Sequence, residues 1–524
     1  MFNDFWSDFK EGFHKFYLDY FLVFLIALNL FGWLQSSATL AEPDSFYHAK
    51  MAVFLSDGKV LHAFPWLNAT ALKDNFVDHH FLYHLLLVPF VKVLPPLIGV
   101  KLATVFFASS LALTIYWLFK QFHLKYPLIC IGLLFLSSPW LFRASLVKAP
   151  AVFLIIFLLC FYSLAHYYKW RLFFLSWAAV WLYGAWPLIP LSSLGFLGLT
   201  FIIPLLHKKS FNDLLDWLTK KKQAVFKTVL YCWLGTFAGI VINPYFPFNL
   251  KFYWQQIVDI ALVNYHGVIG VGGEWYPYGF VRLLTDTPLS FVLLILGLFF
   301  FVLSFKKQSV YSWFFAFMAF GFLLLTLKAK RQVEFFVPFS VIFFAFSFSD
   351  FYKKHFMFSW LPLIGKYWSK TFSFLLLVIM LSFLLQAPVI FKQTKNDLDH
   401  GWSLTHYRAA AEWLAKNAPA GQVVFNADWD DFPFLFYYNS KDYYLTGLDP
   451  TFMYQYNKDK YWEYVNITLG KQSSLLDDSL KNDFNSTYVF LDTQHQALAS
   501  NLIFTKGARK VYEDPEALIY RLDN

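Results

Sequence analysis

The dominant pattern along the chain is a series of long apolar runs separated by short charged stretches. A membrane-crossing helix needs roughly 17–25 mostly apolar residues. Runs of that kind lie near 17–36, 97–119, 127–142, 150–167, 172–189, 191–206, 225–243, 288–304, 310–327, 334–350 and 371–390. The pattern therefore predicts a polytopic α-helical membrane protein with about eleven transmembrane helices. The first run is expected to remain as a span, because its leader is long and mixed in charge, unlike a signal peptide. One more run, "HHFLYHLLLVPFVKVLPP" at 79–96, has the length of a span but carries His79, His80, His84 and Lys92. We read it as an amphipathic helix in the membrane interface.

Beyond about residue 392 the pattern changes to mixed charge and frequent turn residues. This tail reads as a soluble α/β domain, with a helix near 404–417 and strands near 422–426 and 487–491. The expected division is a multi-span domain over 1–391, with a large first outer loop at 37–96, and a soluble domain over 392–524.

Composition agrees with the pattern. The chain is 58% hydrophobic, 22% aromatic and only 15% charged, which excludes an ordinary water-soluble globule. The formal charge of +9 is scattered between apolar runs, so it reads as a topology signal rather than a nucleic-acid surface. Cys130, Cys160 and Cys232 all fall inside apolar runs, and neither a disulfide framework nor a zinc pattern is present. There is no glycine-rich phosphate loop and no dinucleotide fingerprint.

Orientation follows from lysine and arginine. With the N-terminus cytoplasmic, "KQFHLK", "YYKWR", "HKKSFNDLLDWLTKKKQ", "FKKQ" and "DFYKKH" all fall inside. The first loop, the stretch "LFRASLVKAP" (141–150), a loop from Asn243 to Arg282, the turn "LKAKRQVE" (327–334) and the tail then face outward. The outer turn carries Lys328, Lys330 and Arg331 against the positive-inside rule, which suits an anionic partner at the lipid interface. Arg143 and Lys148 add two cations on the same side. A phosphate on a lipid carrier fits such a set, because arginine can bind it through two parallel hydrogen bonds.

The outward carboxylates are the candidates for proton chemistry. Asp44 and Glu42 follow the first span in "LAEPDSFYHAKMA", with His48 beside them. Asp44 reads equally well as a helix cap, since Pro43-Asp44 precedes an apolar run. Glu274, in the glycine-rich "GVGGEWYPYG", is a second outward acid or an incidental member of an aromatic belt. "VDHHFLYH" places Asp78, His79, His80 and His84 close together, as a substrate-binding or metal-binding group or as interface packing. His80 and His84 share a helix face, but the glutamate of the zinc-protease pattern is missing.

These pieces resemble the GT-C superfamily of membrane glycosyltransferases, and most closely the catalytic subunits of oligosaccharyltransferases. "EPDSFYHAKM" resembles the first acidic motif of that family, which implies that Asp44 is the principal catalytic carboxylate. "SSPWLFRASLVKAP" resembles the next motif at Pro139 and Arg143, but Lys148-Ala149-Pro150 stands near the place of the family's acidic pair. "GGEWYP" resembles the outer-loop glutamate, and "LKAKRQVEFFVPF" the span start whose arginine meets the lipid-linked phosphate, which implies that role for Arg331. "FNADWDDFPFLFYYN" resembles the acceptor-reading motif, which points to Asp428, Trp429 and Asp430, with one tryptophan instead of two.

The resemblance implies an inverting glycosyltransferase of the plasma membrane. It would use a polyprenyl-phosphate-linked sugar and a glycan, lipid or protein acceptor on the extracytoplasmic face, and its partners would include membrane lipids but not nucleic acid. The alternatives are an oligosaccharyltransferase proper and a transporter or flippase for a lipid-linked glycan. The missing acidic pair removes expected ligands of a divalent metal, and Lys148 would repel one. We therefore expect no required cofactor, with a divalent metal as the second reading.

Overall fold

The structure is a computed structural model that describes residues 17–207, 211–355 and 362–523. The charged leader before Tyr17 and the basic residues Lys208 and Lys209 lie outside the described residues.

The apolar runs fold as helices close to the expected bounds. Among the described residues, four are long and apolar enough to cross a membrane: Pro96–Gln121, Gln223–Val241, Val310–Lys328 and Lys330–Lys353. Two bent pairs bring the number to six if each is one span. Leu18–Leu34, Pro150–Ala165 and Leu188–Ile203 are shorter apolar helices. The expected count of about eleven is not reached by this measure. Turns or prolines interrupt some of the runs, while the run at 371–390 lies within the single helix Pro362–Asp399. The run at 127–142 is two helices, Pro127–Leu134 and Ser138–Ala144, bent by 83°. Pro288 starts a new helix after Phe280–Asp286, with a bend of 95°, because a proline has no N–H to continue the preceding turn. The run at 79–96 forms the helix Phe81–Val93. At 13 residues it rises about 20 Å, short of a hydrocarbon core of about 30 Å.

Contacts divide the chain into two compact units, and the division is not the one the tail composition suggested. The first unit comprises Met1–Ser37, Thr104–Ile240 and Glu274–Leu398. The second comprises Ala38–Ala103, Val241–Gly273 and Asp399–Asn524. The first outer loop thus goes with the tail instead of with the spans. Strand β1 (Thr39–Leu40) pairs antiparallel with β2 (Trp402–Ser403). Gly401 packs so closely on Leu40 that an added Cβ would sit 2.5 Å from its carbonyl oxygen. The backbone amides of Asn68 and Ala69 donate to Tyr444 and Leu445 in the tail. None of these pairings has a local sequence signal.

The core of the second unit is a five-stranded sheet. Its strands are β3 (Val423–Asn426), β4 (Tyr443–Tyr444), β5 (Ser486–Asp492), β6 (Ala508–Glu513) and β7 (Ala517–Leu522), in the order β4-β3-β5-β7-β6. β3 is parallel to both neighbours, and the β5–β7 and β7–β6 pairs are antiparallel. All four residues of β3, Val-Val-Phe-Asn, are buried, as expected of a parallel strand covered on both faces. The turn between β6 and β7 is closed by Asp514, whose Oδ1 accepts from the amides of Glu516 and Ala517.

Candidate functional site

In the first unit, three cations converge on one carboxylate. Arg143 lies on the short helix Ser138–Ala144, Lys148 in the turn before Pro150, and Arg331 in the turn Lys330–Gln332. Glu274 sits in a single helical turn, Gly273–Trp275. Its Oε2 lies 2.6 Å from Arg143 Nη1 and 3.4 Å from Lys148 Nζ, and its Oε1 lies 3.0 Å from Arg331 Nη1. Arg331 also donates from Nη2 to the Tyr183 hydroxyl at 2.8 Å and stacks over the Trp275 ring at 4.4 Å. Lys330 fixes the turn through its backbone amide, which donates to Tyr276. Lys328 closes the preceding helix, Val310–Lys328.

A second carboxylate completes the cluster. Arg143 donates from Nε at 3.0 Å and Nη2 at 2.8 Å to Glu334 Oε2. The other oxygen, Glu334 Oε1, is buried and has no hydrogen-bond partner among the described residues. Among the described residues, these three cations face two carboxylates in largely buried surroundings. Burial opposes ionisation of Glu274, but Arg331, Lys148 and Arg143 outweigh it and hold its carboxyl well below the usual carboxylate range.

A carboxylate held ionised by three cations is a poor proton acceptor. Glu334 and Tyr183 were not singled out from the sequence. Glu334 lies three residues beyond Arg331 in the basic turn, and its charge there was the available signal.

The other candidates lie in the second unit. Asp44 is the first residue of the helix Asp44–Ser56, and Pro43 stands at the capping position with no side-chain cap bond. The expected N-cap role is therefore not the one adopted. Asp44 and Glu42 are half-buried, and a carboxylate in the first turn is favoured by the helix dipole. The helix is held by Phe46, which packs edge-on to Phe434 at 4.7 Å, and by Lys50, which donates to the Tyr437 carbonyl.

His48 lies one turn after Asp44. Its Nδ1 is 2.7 Å from His84 Nε2, and His84 Nδ1 is 2.7 Å from Asp78 Oδ2. All three side chains are buried. Asp78 Oδ1 accepts from the His80 amide, and the His79 and His80 rings lie 3.8 Å apart. Both ring nitrogens of His84 are thus engaged. Among the described residues no group of three or more His, Cys, Asp or Glu is arranged to hold a metal ion.

Asp428, Trp429 and Asp430 follow β3 at its carboxyl end. Asp428 Oδ1 accepts from the Asp430 amide and Asp431 Oδ2 from the Asp428 amide, a reciprocal capping box around the turn Trp429–Asp431. Burial, then the charges of Asp428 and Asp492, push the Asp431 carboxyl well up. Asp492, at the end of β5, accepts from His495 Nδ1 at 2.6 Å. The sequence pointed to Asp428 but not to Asp431, Asp492 or His495, which only the parallel pairing of β3 and β5 brings into one region.

No family profile matches the chain, and no curated protein matches it. Solved structures do. The archaeal oligosaccharyltransferase AglB from Archaeoglobus fulgidus, in complex with an inhibitory peptide and a dolichol-phosphate, superposes with a TM-score of 0.66 at 12% identity, over 98% of this chain and 75% of that one. ArnT from Cupriavidus metallidurans bound to undecaprenyl phosphate superposes with a TM-score of 0.56 at 12% identity, over 97% and 98%. The arabinofuranosyltransferase AftD from Mycobacteria gives 0.53 at 10% identity, over 96% of this chain but only 40% of that one. The chain accordingly has the membrane fold of the GT-C type. Its likeness extends both to an oligosaccharyltransferase solved with dolichol-phosphate and to a protein solved with undecaprenyl phosphate.

Proposed function

We propose that this chain is an integral-membrane inverting glycosyltransferase. It would take a sugar from a polyprenyl-phosphate-linked donor and pass it to an acceptor on the extracytoplasmic face of the plasma membrane. The observation that carries the reading is the convergence of Arg143, Lys148 and Arg331 on the single carboxylate of Glu274. Such a set of donors, partly shielded from water, suits a phosphate that gains charge as the sugar leaves. The lipids bound in two of the similar structures, dolichol-phosphate and undecaprenyl phosphate, agree in chemistry.

In this reading the donor phosphate displaces Glu274 from the three cations. Arg331 and Arg143 would then offer their guanidinium donors to the phosphate oxygens. Tyr183 and Trp275 keep the Arg331 side chain in place on two sides, and Glu334 does the same for Arg143. Asp44, the carboxylate that the family resemblance implies as catalytic, would take the proton of the acceptor hydroxyl. The new bond forms on the face of the sugar opposite the departing phosphate, which inverts the anomeric centre.

An oligosaccharyltransferase activity is the second reading, favoured by the higher TM-score to AglB. Against it stands the use of Asp428 as a helix cap. The deciding experiment incubates purified protein with a panel of radiolabelled polyprenyl-phosphate and polyprenyl-pyrophosphate sugars, with and without peptide acceptors. Transfer or slow hydrolysis from a lipid-linked donor supports the proposal. No reaction with any donor, alongside transport of one across a proteoliposome, would replace it with the flippase reading.

A further inference from the structure

Two carboxylates meet Arg143, and they differ in how their oxygens are used. Glu274 engages Arg143 and Lys148 through Oε2 and Arg331 through Oε1. Glu334 engages Arg143 through Oε2, which accepts from Nε and Nη2 at 3.0 and 2.8 Å. Its other oxygen, Oε1, is buried and has no hydrogen-bond partner among the described residues. Glu334 as a whole is only 6% exposed, in the first turn of the helix Val333–His355. A carboxylate oxygen cut off from water and left unmatched is costly, so a native protein rarely keeps one without use. It marks the place of a hydrogen-bond donor that comes from outside the chain.

The cluster shows which ligand brings that donor. Arginine presents its donors in one rigid plane. On Arg143 the Nε and Nη2 groups hold Glu334, and Nη1 holds Glu274 at 2.6 Å. The two carboxylates are therefore neighbours on a single guanidinium. Arg331 and Tyr183 also lie within the field of Glu334. On the glycosyltransferase reading above, the donor phosphate takes the place of Glu274. The groups bonded to that phosphate are then held beside Glu334. One of them, the polyprenyl chain, has only C–H bonds and cannot satisfy a carboxylate. The other, the sugar, can.

The surrounding charge narrows the chemistry further. Arg143, Lys148 and Arg331 already crowd this region, so an ammonium on the sugar would be repelled. A neutral O–H or N–H escapes that repulsion and still makes a charge-assisted hydrogen bond.

Resting on that reading, we propose that Glu334 is a sugar-recognition residue, whose Oε1 accepts a hydrogen bond from a hydroxyl or amide N–H of the first sugar on the lipid phosphate. Its two oxygens have separate tasks. Oε2 holds Arg143 for the phosphate, and Oε1 reports whether a sugar is attached. A site built around such an acceptor rejects a ligand that leaves it unmatched. The carrier phosphate that remains after transfer has lost its sugar and leaves Oε1 unmatched again. Glu334 thus favours the loaded carrier over the spent one and hastens release of the lipid product.

The test uses the full chain in nanodiscs and two kinds of probe. One is undecaprenyl phosphate. The other is undecaprenyl phosphate bearing glucose, mannose or N-acetylglucosamine. Affinities are measured for wild type and for Glu334→Gln. The amide keeps the shape and can still accept from Arg143, but it then presents N–H groups where the sugar needs an acceptor. For the sugar-bearing lipid that wild type prefers, Glu334→Gln should lower affinity by about tenfold or more relative to undecaprenyl phosphate, as expected for a hydrogen bond to a charged group. A weaker hold of Arg143 on the phosphate affects both lipids alike and cancels in this ratio. An unchanged ratio would reduce Glu334 to a support for Arg143 and end the proposal. A wild type with no preference for any sugar-bearing lipid would end it too.

Arg331→Ala separates this from the reading beneath it. If Arg331→Ala binds undecaprenyl phosphate as well as wild type does, the phosphate site itself is wrong. If Arg331→Ala loses both lipids while Glu334→Gln leaves the ratio unchanged, the phosphate site stands and only the sugar contact fails. Should Glu334→Gln not fold, cryo-EM of wild type with its preferred sugar-bearing lipid decides. A sugar oxygen or nitrogen within about 3.2 Å of Glu334 Oε1 supports the proposal, and a water alone at that oxygen overturns it.

Discussion

Arg331 and Glu274 face each other at 3.0 Å, so the arginine best suited to hold a lipid phosphate is already neutralised by a carboxylate of its own chain. On the proposed reading, Glu274 stands where the phosphate of the lipid-linked donor would bind. Glu274→Gln should therefore tighten binding of a polyprenyl phosphate, because the competitor is gone. It should also lower the stability of the ligand-free protein by about 2–4 kcal/mol, since largely buried cations lose their partner. Adding the lipid phosphate should restore most of the lost Tm. Unchanged lipid affinity in Glu274→Gln would count against the exchange.

Asp44→Asn and Arg331→Ala should fail in different ways. Asp44 is the first residue of its helix, not the residue at the capping position, so Asp44→Asn should fold with a loss of about 0.3–1 kcal/mol from the helix dipole. Its turnover should fall by about 10²–10⁴-fold with donor affinity little changed. Arg331→Ala should lower both turnover and donor affinity, because the phosphate is contacted before and during transfer. Near-normal transfer by Asp44→Asn would move the search for the base to Glu42 or Asp78.

Chelation should leave transfer intact. Lys148 sits 3.4 Å from Glu274, in a position from which it repels a divalent cation. Loss of activity in EDTA, with recovery in manganese or zinc, would refute this.

Labelling should place both arms of the second unit on one side of the membrane. Asp57 and Ser440 belong to that unit. Asp57→Cys and Ser440→Cys should both react with an impermeant reagent in intact cells. Reaction at only one of them is incompatible with the assigned topology.

The pair Asp492–His495 should make stability depend on pH. Burial works against the His495 cation, but its hydrogen bond to Asp492 and the charge there win, and its pKa is raised above 6.5. Burial also opposes the Asp492 anion, and His495 overcomes it, lowering that pKa below 3.8. A raised histidine pKa gives stability that is full below 6.5 and lost as pH climbs through the folded value. A lowered aspartate pKa gives stability that is present above 3.8 and lost as pH falls through the folded value. Thermal melts should thus show this contribution between about pH 4 and 6.5 and its decline toward alkaline pH. His495→Gln should flatten that decline.

Much of this was legible in the chain because spans announce themselves locally. The runs at 97–119, 310–327 and 334–350 fold as Pro96–Gln121, Val310–Lys328 and Val333–His355. The basic turn drew attention to Arg331 as a cation where the membrane rule does not want one, and in the fold Arg331 meets Glu274. What was not legible depends on residues far apart in sequence. Glu334 became visible only once Arg143 was folded against it. His48 and His84 are separated by a loop, and nothing in "EPDSFYHAKM" or "VDHHFLYH" says that the two rings meet. The boundary near 391 followed composition, which cannot see that β1 pairs with β2.

That short ribbon has a consequence for biogenesis. Thr39 and Leu40 leave the ribosome early, and their partners Ser403 and Trp402 emerge only after nearly all the spans have been inserted. The helix that carries Asp44 must wait, without its Phe434 and Tyr437 neighbours, through most of translation. A nascent chain arrested before the tail would contain every span and no finished second unit. Membrane insertion and the assembly of this unit are therefore separable events, and the stretch 38–103 waits longest for its partners.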